Sequence, residues 1–302
     1  EIIKCDWSSD VCSSDLSVVW NIDAIKLKVL EGTASNDVLL GYASNDIINA
    51  GAGNDQIWGR DGNDVITADA GDDIVYGEAG ADTLYGALGK DHLMGGTGND
   101  TLYGEDDEDL LDGNEGDDTL FGGDGNDILT DDSGQNKLYG GAGNDTLATN
   151  SYESSELYGE SGSDTLTGVG LLSGGADDDI ITSYADSQLY GDDGNDTLTG
   201  YGSLNGGDGN DTLNGLGSDL LVGGAGNDTL IAYSDPFTQN TNTLDGGQGN
   251  DIIYGSFGDD TYLFNLGDGQ DQIIERGGEG YIGFCDLLGD LQGLILITNK
   301  PA

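Results

Sequence analysis

Residues 32–148 divide without insertion into consecutive nonapeptides, beginning GTASNDVLL, GYASNDIIN, AGAGNDQIW and GRDGNDVIT. About 13 such units fill the stretch. A period of nine is too short for any unit to bury its own apolar face, so neighbours must stack to make a core. The sixth position of the unit is Asp37, Asp46, Asp55, Asp64, Asp73, Asp82, Asp91, Asp100, Asp109, Asp118, Asp127 and Asp145, and only Asn136 breaks the series. The eighth position is Leu, Ile or Val throughout, from Leu39 and Ile48 to Leu138 and Leu147.

One unit reads directly as chemistry. Gly at the first, second and fourth positions permits positive φ and a tight turn that aims backbone carbonyls inward. The Asp at position six adds a hard carboxylate. Carbonyl and carboxylate oxygens, six or more together, suit calcium rather than zinc or copper. The last three residues predict a very short strand whose middle, aliphatic side chain faces a core while its Thr, Asn, Tyr or Asp neighbours face solvent. Two units then make one coil, and the coils stack.

The unit GGDGNDILT at 122–130 carries the pattern GGxGxDxUx and resembles the RTX family, the haemolysin-type calcium-binding repeats. The resemblance extends over residues 32–263. It implies an all-β, right-handed parallel β-roll (a β-solenoid) with two repeats per coil and calcium between turns stacked on the same side. It also implies a protein secreted from a Gram-negative bacterium by type I secretion machinery, folding once outside. Extracellular calcium modules bind with Kd values of roughly 10⁻⁴–10⁻³ M, so such a chain stays loose in the cytosol.

The second half of the repeat block is lopsided. Consensus turns continue from Gly140, Gly159, Gly174, Gly191, Gly206, Gly223 and Gly246, adding Asp164, Asp179, Asp196, Asp211, Asp228 and Asp251 as ligand candidates. Asp260, in the segment that closes the block, completes the set. Between these turns lie irregular units: DDSGQNKLY, TNSYESSELY, GVGLLS, SYADSQLY, GYGSLN, GLGSDLLV and AYSDPFTQNTNTLD. Each keeps an aliphatic strand residue (Leu138, Leu157, Leu172, Leu189, Leu204, Leu221, Leu244) but loses or resizes the Gly-rich acidic turn. With two units per coil, every irregular turn falls on one edge. Calcium is therefore expected on both edges to about Phe121 and on one edge beyond it, roughly 16 ions in all. The longest irregular unit, 232–245, has no glycine and predicts a protruding loop around Pro236.

Every second unit carries an aromatic residue at position nine: Tyr85, Tyr103, Phe121, Tyr139 and Tyr158. Stacked ~4.8 Å apart per coil, they form a ladder that stabilises the sheet, or a stripe for a glycan or protein partner. Trp58, Tyr76 and Met94 make a shorter row on the opposite face. His92 is the only histidine, sits at an outward position and has no GxSxG partner motif, which leaves no Ser-His-Asp constellation. The many carboxylates occupy fixed repeat positions, which accounts for them as ligands rather than as a glycosidase pair. Ice binding would need a flat row of Thr at one turn position, where Thr97 stands nearly alone. No catalytic constellation is present, and the chain reads as a non-enzymatic module.

The charge narrows the class further. Asp and Glu total 58 against 8 Lys and Arg, a formal net charge of −50. That excludes a nucleic-acid binder, which needs cations to displace phosphate counterions. No apolar run reaches the ~20 residues of a membrane-spanning helix. Residues 1–16, EIIKCDWSSDVCSSDL, resemble a translation of a sequencing-library adapter and are set apart from the fold. That removes Cys5 and Cys12 and leaves only Cys285, so no disulfide framework or thiolate metal site is expected. Residues 17–31 predict an N-terminal flank or cap. Residues 264–302 fit a C-terminal cap or the start of a secretion-signal region. Two functional readings follow. The first is the calcium-binding module of a larger exported toxin or hydrolase with its catalytic part upstream. The second is a structural or adhesive extracellular repeat, an adhesin or surface-layer element.

Overall fold

The computed structural model describes residues 28–233, 240–265, 267–276, 279–285 and 291–298. The adapter-like stretch 1–16, most of the expected N-terminal cap and the tip of the loop around Pro236 lie outside the described residues, as does the side chain of Cys285.

The described chain is an all-β, parallel solenoid of about 13 turns. In the regular part each strand pairs in parallel with the strand two places along. Ile74–Ala79 lies beside His92–Thr97, and Thr83–Leu88 beside Thr101–Asp106. Two units therefore make one coil, as expected. The strands are longer than the expected three residues. Thr101–Asp106 and Leu110–Glu115 each run six, from position seven of one unit through position three of the next. The ladder persists past the aliphatic residue because the start of each Gly-rich turn still pairs with its copy one coil away, as Glu78 does with Gly96.

The repeated aliphatic positions build two inner columns. One runs Ile66, Leu84, Leu102, Leu120, Leu138, Leu157, Leu172, Leu189, Leu204, Leu221 and Leu244. The other includes Ile57, Val75, Leu93, Leu111, Leu129, Leu147 and Leu166. All are fully buried, and each contributes ~1.5–3 kcal/mol. The first column continues onto Tyr262, which pairs with Leu244 and is also fully buried. Its hydroxyl bonds the Glu275 carboxylate, which gives the buried ring a polar partner.

The irregular units keep the strand register and alter only the turns. Successive Asp positions lie 18 residues apart in the regular part, 15 at Asp164–Asp179 and Asp196–Asp211, and 23 at Asp228–Asp251. Length changes are absorbed on one edge, because the strands on either side still match leucine to leucine. At the C-terminal end, Glu279–Cys285 pairs in parallel with Thr261–Phe264 and antiparallel with Leu291–Thr298, so the tail forms a strand pair. Among the described residues no helix is long and apolar enough to cross a membrane.

Candidate metal centre

Glycine serves two purposes in the turn, and only one is the expected one. Positions two and four adopt positive φ, as at Gly96 (113°) and Gly98 (129°). Position two also holds Arg60, Glu78, Ala87 and Glu105 at φ between 75° and 85°, so the geometry is imposed even where glycine is absent. Position one is not in that region. At Gly95 the reason is close approach: a Cβ would meet Asp100 Oδ2 at 2.5 Å and Gly113 O at 2.9 Å, although Ala50 and Ala68 hold the same position in their units, fully buried.

The position-six carboxylates stand in two columns, one on each edge. From Asp55 and Asp64 onward, each Asp Oδ1 accepts the backbone N–H of its counterpart one coil earlier. On the regular edge the chain of bonds runs from Asp37 through Asp55, Asp73, Asp91, Asp109, Asp127, Asp145, Asp164, Asp179, Asp196, Asp211 and Asp228 to Asp251, at 2.6–2.8 Å. On the other edge it runs Asp46, Asp64, Asp82, Asp100 and Asp118 at 2.7 Å.

The second oxygen is what distinguishes these carboxylates. Oδ2 of every Asp in these columns from Asp55 onward is buried without a hydrogen-bond partner. A row of buried, unpartnered carboxylate oxygens is costly unless a cation compensates it. The field in the metal-free chain agrees. Asp73, Asp82, Asp127, Asp145, Asp164 and Asp196 are pushed up to about 6. Asp91, Asp100 and Asp228 are pushed up to about 7, and Asp109 and Asp179 to about 8. Desolvation by burial is the main cause. The donated backbone N–H works against it, and neighbouring carboxylates add to it.

The donors fit a hard divalent cation. They are oxygens alone, and His92 lies on an outer strand position. Among the described residues no three His, Cys, Asp or Glu side chains converge on one point. Backbone carbonyls and water must therefore complete the six to eight oxygens that calcium takes.

Three candidate ligands differ from the rest. Asp37 Oδ2 accepts the N–H and hydroxyl of Thr33 (2.7 and 2.8 Å), Asp46 Oδ2 the N–H of Tyr42 (2.6 Å), and Asp260 Oδ2 the N–H of Ser256 (2.6 Å). These end turns close on hydrogen bonds of their own. Past Asp118 the second edge keeps its ladder with mostly neutral acceptors. Asn136 Oδ1 takes the N–H of Asp118, Ser155 Oγ that of Asn136, and Asn242 Oδ1 that of Asp219. The repeat series does not reveal this substitution, since it shows only that Asp is missing. A further, outer ladder at position five also escaped the sequence reading. Asn63 N donates to Asn45 Oδ1, Asn144 N to Asn126 Oδ1 and Asn227 N to Asn210 Oδ1. The recurring Gly-Asn-Asp was its signal.

The aromatic row is a stack. Ring centroids from Tyr85 through Tyr103, Phe121 and Tyr139 to Tyr158 are 4.8–5.1 Å apart with planes within 9°. Trp58 and Tyr76 stack likewise at 5.4 Å on the other column of strands. Each inner ring covers its neighbours' faces, which supports the sheet-stabilising ladder.

The sequence profile of the family described as RTX calcium-binding nonapeptide repeat (4 copies) matches residues 29–57, 58–93, 85–120, 121–151, 203–230, 214–235 and 238–273. The chain belongs to this family. No curated protein matches the RTX chain by sequence. Among solved structures, it resembles an entity described as a hyperactive, Ca2+-dependent, beta-helical antifreeze protein from an Antarctic bacterium. That likeness has 18% identity over 93% of this chain and 97% of the other, with a TM-score of 0.31.

Proposed function

We propose that this RTX chain is a calcium-addressed folding module: disordered where calcium is scarce, and ordered into the roll when calcium fills the two carboxylate columns. The carrying observation is the unbroken series of buried Oδ2 atoms without partners. In this reading the ligands are the position-six aspartates. Asp55, Asp73, Asp91, Asp109, Asp127, Asp145, Asp164, Asp179, Asp196, Asp211, Asp228 and Asp251 serve the regular edge. Asp64, Asp82, Asp100 and Asp118 serve the other. Asp37, Asp46 and Asp260, with an oxygen already bonded to the backbone, bind most weakly.

Weak, extracellular-range affinity would keep the chain loose during export through a type I machinery and fold it outside. The module would then accompany a toxin or hydrolase activity encoded elsewhere in the same protein. Far-UV circular dichroism at neutral pH tests the central claim. The expected result is a coil spectrum in chelator and a β spectrum in millimolar calcium. A full β signal in excess chelator would sink the proposal.

A further inference from the structure

Two departures from the repeat fall in one turn of the second edge. Asp131 stands at position one, where Gly95 and Gly113 stand in the coils below, and Asn136 stands at position six in place of Asp. Asp131 is fully buried. Its Oδ1 accepts the Ser133 N–H at 3.0 Å. Its Oδ2 has no partner, and neither has Asp118 Oδ2 one coil below. The two oxygens converge over Gly113, where a Cβ would clash with Asp131 Oδ2 and lie 2.7 Å from Asp118 Oδ2.

Asn136 assumes only the neutral half of the missing aspartate's work. Its Oδ1 accepts the Asp118 N–H at 2.9 Å, and its amide donates to Ser133 O at 3.1 Å. The charge has moved five residues along the turn rather than vanishing. Two ionised carboxylates converging in a dry pocket need a positive partner, either a proton held between them or a cation. The ion pairs found among the described residues, Lys90–Glu108 and Lys137–Glu156, lie elsewhere on the exposed surface. Thr149, the register partner of Asp131 in the next coil, buries an unpartnered Oγ1 of its own, a further hard oxygen in the same column.

We infer that Asp131 supplies the carboxylate that Asn136 lacks, so that Asp118 and Asp131 share a divalent cation of the calcium class. The charged column on this edge then extends one site beyond the last pair of position-six aspartates, with a ligand from position one. This rests on the calcium reading above.

The test is an anomalous difference map from crystals of the calcium-loaded chain. A peak about 2.3–2.6 Å from oxygens of both Asp118 and Asp131 is expected. Asp131→Gly restores the repeat's own residue, and it should remove that peak while leaving those along Asp64, Asp82 and Asp100. Adding Asn136→Asp to that variant should bring a peak back. Filled columns with the Asp118–Asp131 pair empty, the two carboxyls then sharing a proton, would overturn the inference and leave the calcium reading intact. So would a peak that survives Asp131→Gly. A map with no ion in any column would overturn both.

Discussion

Protons should substitute for calcium. In the metal-free roll the interior aspartates sit far above the ordinary carboxylate value of 3.8, with Asp91 and Asp100 at about 7 and Asp109 and Asp179 at about 8. The folded state therefore holds these protons more tightly than the unfolded chain does. That stabilisation is complete below the unfolded value and is lost as pH rises through about 6 to 8. A carboxyl raised by two to four pH units contributes roughly 3–5 kcal/mol across that range. The contributions do not simply add, since each includes repulsion from neighbours, but even a few outweigh the ~5–15 kcal/mol of a typical domain. The net charge of −50 falls over the same interval and acts in the same direction. Calcium-depleted chain followed by far-UV circular dichroism should be coil at pH 8 and gain β signal toward pH 5. In millimolar calcium the slope should reverse, because the ions need ionised ligands. Metal-free β signal that rises with pH, or stays flat from pH 8 to 5, would refute the reasoning that burial of unpartnered carboxylates is what keeps the chain unfolded.

Two substitutions probe the scaffold around those carboxylates. Leu111→Ala removes a fully buried member of an inner column, and should cost ~2–5 kcal/mol in calcium-saturated chain, lowering Tm by roughly 4–20 °C; a shift under about 1 kcal/mol would mean that the column is not close-packed. Gly95→Ala places a Cβ 2.5 Å from Asp100 Oδ2 and should raise the calcium concentration needed for folding, at a cost of ~1–3 kcal/mol. An unchanged calcium midpoint would show that position one does not crowd the carboxylate.

The solenoid, the two-unit coil and the aliphatic columns of the core were legible because a strict period leaves one solution, whereas buried Tyr262, Ala50 and Ala68 lie outside that series. If Leu84, Leu102 and Leu120 recur every 18 residues and face inward, they must lie on one another. The confinement of irregular turns to one edge followed from the same arithmetic. What the period could not show was how a residue type works within the turn. Position one looked like another positive-φ glycine, whereas at Gly95 it is the approach of the Asp100 oxygen that leaves little room for a side chain. Asp37, Asp46 and Asp260 match the series by spacing, yet their second oxygens bond to backbone N–H groups. That difference depends on where the position-two amide points, and on the lack of a full set of coils beyond them.

The irregular edge separates two jobs that one aspartate does elsewhere. In the regular column Oδ1 holds the preceding coil through its N–H, and Oδ2 remains for an ion. Where the edge drops its charge, Asn136, Ser155 and Asn242 retain an oxygen for the N–H and supply no carboxylate. If coil-to-coil bonding alone fixed the residue at position six, Asn or Ser would serve on both edges, and without the cost of buried charge. The retention of Asp at Asp127, Asp145, Asp164, Asp179, Asp196, Asp211, Asp228 and Asp251 on the opposite edge of those same coils therefore needs a reason beyond the ladder. The unpartnered Oδ2, present in the Asp column and lost with each neutral replacement, supplies it.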